Sequence, residues 1–528
     1  QMKPSEPTTS VAAPTVPSAD ADPPNSQLAS SAAVIGLATM TSRVLGLGRM
    51  LVLASLFGAS SAMDAYVVAF RIPNLMRDLF AEGAMSAAFV PTFTQQLTTQ
   101  GRDAAWRLGT QLINALVVMT GVLVLAAIIF AEPLIRLAAR DFADVPGKLE
   151  LTVTLTRLML PFLTLVAVAA ACMGMLNSLR RFFIPALSPA MFNVSIILSG
   201  LLLAPLMPGA GFEPIMAIAF GVVLGGIGQI AIQYWVLRKE GFRYRFTLDP
   251  ADRGLRKVLG LMGPGTLAGA ALQINVVITT IIATSQGTGA VSWLTYAFQV
   301  MYLPIGVLGV SIATAALPVL SRQAALGELH EMRRTISHGL RLMLMLMVPA
   351  TVGLIVLAVP IVRLLFERGA FTPADTQATA LALACYAPGM IGYSVVRLGV
   401  PSFYALGTSL TPAVISAVAV GLNIVLNLAL VRVMGYQGLA LGSAIAALSN
   451  GALLLILLRR RLDGLEGRRI ADSLARIAVA HQPHQQAVEI GEREIGIDAA
   501  RDMLPELRLG AHVVLGQQRL DELSHLER

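Results

Sequence analysis

The chain has 528 residues, 55% of them hydrophobic and only 13% charged, with a formal net charge of +8. A soluble domain carries about 25% charged residues, so the composition excludes an ordinary soluble enzyme or nucleic-acid-binding module. It leaves a membrane protein whose basic excess sits in its loops. The two cysteines, Cys172 and Cys385, both lie in apolar stretches and support neither a disulfide framework nor a cysteine metal site.

Residues 1–28 are rich in Pro, Ser, Ala and Thr and read as a disordered extension, without the basic n-region and short apolar core of a cleaved signal peptide. A bilayer-spanning helix needs roughly 20 mostly apolar residues. Twelve such runs follow, at about 32–58, 62–90, 108–132, 151–177, 183–206, 214–237, 259–284, 289–318, 337–362, 377–400, 410–432 and 437–458. The short loops on one side carry seventeen Lys and Arg, among them Arg180, Arg181, Arg238, Lys239 and Arg459–Arg461; those on the other side carry six, including Arg136, Lys148 and Arg368. The positive-inside rule then places both chain ends in the cytoplasm, as an even number of spans requires. From about 465 the chain turns polar and holds no span, so residues 461–528 read as a cytoplasmic tail.

An internal repeat divides the apolar part. Pro91, Pro133, Pro161 and Pro185 recur as Pro318, Pro360, Pro388 and Pro412, each 227 residues later. The shift covers six spans, so both copies share one orientation. The expected architecture is all-α and polytopic, with an N-lobe at 29–240 and a C-lobe at 241–460 related by an axis along the membrane normal. Transporters built from such repeats place their substrate between the halves near the midplane. Proline removes a backbone donor and bends a helix, which is tolerated in lipid where protein or a wet cavity satisfies the freed groups.

Charges inside spans are costly and mark function by default, and here they concentrate in the first two: Arg43, Arg49, Asp64, Arg71, Arg77, Asp78 and Glu82. At 1.5 Å per residue Arg43 and Arg71 fall near mid-bilayer. Asp64, Arg71, Asp78 and Glu82 share one helical face and read as a helix-packing network that neutralises itself. Arg43, Arg49 and Arg77 then remain for an anionic substrate, against the alternative that they snorkel. Arginine suits a pyrophosphate because its planar fork binds two oxygens and keeps its charge when partly buried. Gly46 and Gly48, between the first two arginines, serve either a local unwinding or close helix packing. No Walker motif, zinc spacing or nucleophile elbow is present, so no enzyme is expected.

Thr41-Ser-Arg-Val-Leu-Gly-Leu-Gly-Arg49, Asp64-Ala-Tyr-Val-Val-Ala-Phe-Arg-Ile-Pro-Asn74 and Phe80-Ala-Glu-Gly-Ala-Met-Ser-Ala-Ala-Phe-Val-Pro91 closely resemble the MurJ (MviN) family, as do Asn177–Pro185, Val291-Ser-Trp293 and Pro304-Ile-Gly-Val-Leu-Gly309. The resemblance runs from about 32 to 460. It implies the fold of the MOP exporter superfamily, two six-helix lobes in a V around a cationic cavity. It also implies the flipping of lipid II, the undecaprenyl-pyrophosphate-linked peptidoglycan precursor, across the bacterial inner membrane by alternating access. Arg43, Arg49 and Arg77 match the family's cavity arginines, and Asp64 and Glu82 its acidic positions. Three departures stand out. Met50 replaces an acid, Gln299 stands where many members carry a further cavity arginine, and the polar tail stands where members have two more helices. Asn423, Asn427 and Ser443 fall near the sodium site of some relatives, with Thr279 or Asn275 where the seventh helix would supply an acid. The expected partners are lipid II, membrane lipids and proteins of a cell-wall synthesis complex, with sodium or the membrane potential as candidate coupling. The alternatives are an exporter of this architecture for another lipid-linked oligosaccharide or an amphipathic drug, and a non-transporting cell-wall scaffold.

Overall fold

The computed structural model describes residues 24–77, 85–247, 249 and 251–465, and among these every regular element is helical. In chain order they are α1 (Pro24–Phe57), α2 (Ser61–Arg77), α3 (Met85–Thr99), α4 (Arg102–Ile129), the short α5 (Ala131–Ala138), α6 (Lys148–Met159), α7 (Phe162–Ser178), α8 (Phe183–Leu198) and α9 (Met216–Lys239). After a loop come α10 (Arg253–Thr284), α11 (Ala290–Pro304), α12 (Val310–Ala325), α13 (Leu329–Val356), the short α14 (Ala358–Phe366), α15 (Pro373–Tyr386), α16 (Gly389–Ala405), α17 (Leu410–Met434) and α18 (Tyr436–Arg461).

Eight helical segments among the described residues are long and apolar enough to cross a bilayer, and the pair α15–α16, bent by 46°, adds a ninth. These fall on nine of the twelve runs expected from sequence. The other three are described in part or interrupted. The run at 62–90 is α2 and α3 with residues outside the described set between them; the run at 259–284 lies within α10; the run at 289–318 is α11 and α12 joined by a π-helical turn at Ile305–Gly309. The expected tail, with His481 and His484, lies outside the described residues.

Helix α4 shows what the membrane demands. Leu108, Leu112, Leu116, Thr120 and Val124 form a buried row at intervals of four, while Val118, Val122, Leu125 and Ile129 on another face are exposed. A helix apolar on its outer face as well as its inner one is stable only where that outer face meets lipid.

The repeated prolines occupy like places. Pro91 and Pro318 lie inside α3 and α12. Pro133 and Pro360 lie in the first turn of the short helices α5 and α14. Pro161 and Pro388 stand at the breaks before α7 and α16, and Pro185 and Pro412 in the first turn of α8 and α17. A proline costs nothing in a first turn, where its missing N–H has no intrahelical partner, and breaks the hydrogen-bond ladder elsewhere.

The chain forms two compact units. The first comprises Gln1–Leu303, Leu354–Gly389 and Ser416–Ala446. In it α8 packs on α1 and α9, α7 on α4 and α9, α2 on α6, and α3 on α7 and α10. Phe89, Phe93, Leu108, Leu112, Met175 and Phe242 belong to one apolar core of it. Small residues set the helix spacing: a Cβ at Gly225 of α9 would lie 2.9 Å from the Phe192 backbone of α8. Close backbone approach of this kind drives helix association where lipid is as apolar as the side chains. The second unit comprises Pro304–Gly353, Met390–Ile415 and Ala447–Arg528. Its core is Leu320, Met332, Ile336, Leu340, Leu398, Phe403, Leu454 and Leu458, with Gly392 of α16 against the backbone of Ala447 in α18.

Candidate functional site

A cavity of about 520 Å³ lies in the first unit, walled by α1, α7, α8, α9 and α11. Its lining includes Arg43 and Arg49 of α1, Ser188, Phe192 and Asn193 of α8, Gln229 and Gln233 of α9, and Gln299 of α11. A neighbouring space of about 730 Å³ shares Ser42, Arg43, Met173, Pro185 and Pro189 and reaches toward Thr39 and Asn177. Another of about 280 Å³ shares Arg49, Phe192 and Gln299 and reaches toward Met63 and Tyr66. The three form one run along α1, with Arg43 and Arg49 two turns apart on its wall.

Arg49 leans over the Phe192 ring, its guanidinium carbon 5.4 Å from the centroid. Phe192 in turn belongs to an aromatic group with Phe70 and Phe162. A cation over an aromatic face is held in place without losing its charge. Arg71 lines the innermost space and also a separate, almost wholly apolar pocket formed by α2, α4, α5 and α10. Gln299 lines two of the three polar spaces, and Met50 is buried at the innermost one. Helix α1 stays continuous through Gly46 and Gly48, which face Asn193 and Ile197 of α8. Local unwinding is not seen; Gly46 both packs near α8 and lines the cavity. Arg77 ends α2 with its side chain outside the described set, and Asp78 and Glu82 also lie outside it.

The hydrogen-bond partners of the Asp64 carboxylate among the described residues come from α6 and the start of α11. Its Oδ2 accepts from Lys148 Nζ at 2.9 Å and from the Gly289 backbone N–H at 2.7 Å. Its Oδ1 accepts from the backbone N–H and the hydroxyl of Ser292, at 3.1 and 2.7 Å. The carboxylate therefore caps the N-terminus of α11, where unpaired N–H groups and the helix dipole favour an anion. Lys148, counted above among the loop charges, is instead buried at the start of α6, with Nζ 4.0 Å above the Phe142 ring. A loop assignment fails here because the partner acid lies 84 residues away on another helix.

Around this pair the helix ends close on one another. The Ala370 N–H donates to Ser55 O at 2.8 Å, and the fully buried Tyr296 hydroxyl donates to Gly58 O at 3.0 Å. Gly58 and Gly369 both have positive φ, and a Cβ on either would run into backbone across the junction. Trp293 Nε1 donates to Asp375 at 2.8 Å, and Asp375 also closes the capping box of α15 with Thr372. The innermost space, at Met63 and Tyr66, lies beside the α2 residues that lead into this interlocked junction.

The residues expected to hold sodium also meet. Asn423 Nδ2 donates to Ser443 Oγ at 3.3 Å, and Asn427 Nδ2 donates to Asn423 Oδ1 at 3.0 Å and to Thr279 Oγ1 at 3.1 Å. Asn427 Oδ1 is buried without a hydrogen-bond partner. Among the described residues no carboxylate, histidine or cysteine cluster could hold a metal ion. A set of neutral oxygens suits a monovalent cation and lacks the charge a calcium site uses.

Sequence reasoning missed Lys148, Ser188, Asn193, Gln229 and Gln233. The polar side chains of Ser188, Asn193, Gln229 and Gln233 lie in otherwise apolar runs, and that was the available signal, since buried polar groups in spans face cavities or one another; Lys148, in the loop sequence Asp144-Val-Pro-Gly-Lys148, gave none.

An all-α chain with broken spans and a cationic interior cavity is a polytopic membrane transporter. Its fold is also that of a multidrug resistance MATE family transporter of the MOP superfamily in an inward-facing conformation, at a TM-score of 0.65 and 14% identity over 83% of this chain and 99% of the other. The family model "Lipid II flippase MurJ" matches residues 53–484, and the chain belongs to that family. It is 35% identical to the probable lipid II flippase MurJ of Rhizobium meliloti over 80% of this chain and 79% of the relative. It is likewise 35% identical to the lipid II flippase MurJ of Burkholderia cenocepacia, over 80% and 82%. A lipid II flippase MurJ structure in an inward closed conformation superposes with a TM-score of 0.70 at 27% identity, covering 84% of this chain and 91% of that one.

Proposed function

We propose that this protein carries lipid II from the cytoplasmic to the periplasmic leaflet of the bacterial inner membrane, with both chain ends in the cytoplasm. The observation that carries the reading is the pair Arg43 and Arg49 on the wall of a 520 Å³ cavity, in a chain of this family. The guanidinium groups receive the pyrophosphate by bidentate charge-assisted bonds, with Arg77 as a third contact. The polyprenyl chain stays in lipid. The Asp64 junction is the periplasmic gate in this reading, and Glu82, Asp78 and Arg71 belong to the network that moves with it. Opening on the periplasmic side requires the α11 cap and the Ser55–Ala370 bond to part, and closing on the cytoplasmic side completes alternating access.

A cationic cavity returning empty responds to the membrane potential, since each charge crossing the field is worth about 2.3 kcal/mol per 100 mV. The oxygens of Asn423, Asn427, Thr279 and Ser443 offer a place for a sodium ion, supported by the unpartnered Asn427 Oδ1. A cationic drug would meet arginines where it needs acids, which disfavours the drug-export alternative.

The test is complementation of a depleted strain with periplasmic exposure of lipid II as readout. The parent chain restores both growth and exposure, and Arg43→Ala restores neither while reaching the membrane in normal amount. An Arg43→Ala variant that works as well as the parent ends the reading; a non-transporting scaffold would behave in that way.

A further inference from the structure

The arginines account for an anionic group and leave the opposite wall of the cavity unexplained. Gln229 and Gln233 stand one turn apart on α9, both buried and both in the lining. Gln233 Nε2 donates to Ser188 Oγ at 2.8 Å and to the Gln229 carbonyl at 3.2 Å. These bonds fix which way the amide faces, because the flipped form would set carbonyl against carbonyl. The consequence is that Gln233 Oε1 is buried with no partner. An amide oxygen left unsatisfied in the interior costs about 1–3 kcal/mol, a cost that a ligand donor can offset. In the same lining Asn193 Nδ2 donates to the Ser42 carbonyl at 3.1 Å, which holds its amide against α1.

A hydrocarbon chain has no use for this wall, and a pyrophosphate is served by guanidinium groups. Hydroxyl and acetamido groups need donors and acceptors of matched, uncharged kind, and side-chain amides supply both. The aromatic group of Phe70 and Phe192 beside the amides adds apolar faces of the sort that line small-molecule pockets. We propose that the α8–α9 wall, Gln229 and Gln233 with Ser188 and Asn193, is a saccharide subsite, in which Gln233 Oε1 accepts from a hydroxyl or acetamido N–H of the sugar next to the pyrophosphate. This deepens the lipid II reading and rests on it. Gln233 Oε1 lies beneath the lining surface, so the sugar displaces what covers it, and the gained donor offsets that movement.

The experiment measures binding to the purified full chain of two probes, lipid II and sugar-free undecaprenyl pyrophosphate. Gln233→Met and Gln229→Met keep side-chain length and remove the amide. Each weakens lipid II binding about tenfold, which is about 1.4 kcal/mol, and leaves undecaprenyl pyrophosphate binding unchanged. The second probe therefore also reports that the variant is folded. Arg43→Ala weakens both probes. Unchanged lipid II binding in both glutamine variants, or a parallel loss for the two probes, overturns the subsite. Undiminished binding of both probes by Arg43→Ala instead removes the lipid II reading beneath it.

Discussion

Lys148 Nζ sits 2.9 Å from Asp64 Oδ2, and neither side chain is accessible to solvent. The two ends of this ion pair differ. Asp64 has three further donors, from Gly289 and Ser292, whereas Lys148 meets, among the described residues, this one carboxylate and the face of Phe142. Removing one partner of a buried pair costs about 3–5 kcal/mol when a charge is stranded. Asp64→Asn strands the lysine and weakens the α11 cap together. Lys148→Met leaves a carboxylate still solvated by backbone N–H groups and a hydroxyl. The expected order of apparent melting temperature in detergent is parent, then Lys148→Met, then Asp64→Asn, and the double variant lies closer to Lys148→Met than to Asp64→Asn. Equal losses for the two single variants would show that the other donors do not support the carboxylate.

The Ser55 carbonyl and Ala370 N–H meet at 2.8 Å across the junction. That approach brings the two Cα atoms into the roughly 4.4–6.8 Å range a disulfide spans. Ser55→Cys with Ala370→Cys, in a chain whose native Cys172 and Cys385 are replaced by Ala, forms a cross-link under mild oxidation. The oxidised protein binds lipid II but does not expose it to the periplasm, and a reductant restores transport. Full transport in the oxidised state would show that this junction never opens.

Gly58 and Gly369 serve the same contact through backbone shape. Their φ angles are +56° and +60°, and the space each Cβ would need is occupied by backbone of Ala370 or Ser55. Alanine at either position combines left-handed strain, about 1 kcal/mol, with a clash that backbone cannot relieve by rotating a side chain. Each substitution loosens the closed junction, read as faster labelling of a cysteine placed at Ala59 by a membrane-impermeant reagent from the periplasm. Gly101 and Gly147 have positive φ but nothing within reach of a Cβ, so alanine there carries only the strain and leaves labelling unchanged.

How much of this was legible beforehand depends on distance along the chain. The spans were readable from local composition because lipid exposes the outer face of each helix, as Val118, Val122 and Leu125 show on α4. The cavity place of Arg43, Arg49 and Gln299 followed from charge inside a span and from the family resemblance. The partners of Asp64 did not, because Lys148 and Ser292 come from 84 and 228 residues away and no periodicity links them. Nor did the π-helical turn at Ile305–Gly309 within the 289–318 run, where hydropathy is continuous but the α-helical register is not.

Sodium at the amide cluster has a measurable signature. Anything that binds only the folded protein stabilises it in proportion to the logarithm of its concentration over its dissociation constant. Replacing choline by sodium at constant ionic strength raises the apparent melting temperature of the parent, and Asn427→Leu, which removes the unpartnered Oδ1 and the donor to Asn423, abolishes the rise. A parent that melts identically in the two salts assigns Asn423 and Asn427 to helix bridging alone.

Arg49 and Phe192 give the last expectation. The ring lies 5.4 Å beneath the guanidinium and fixes its direction, so the pair should act together on binding. Phe192→Leu keeps an apolar contact but loses the aromatic face, a change of about 0.5–2 kcal/mol when the cation is desolvated. It weakens lipid II binding severalfold in the parent and has little further effect once Arg49 is alanine. Arg49→Lys does not retain full binding, because an ammonium over the ring cannot fork to two phosphate oxygens. Additive losses in the double variant would mean that Phe192 acts on the cavity independently of the charge above it.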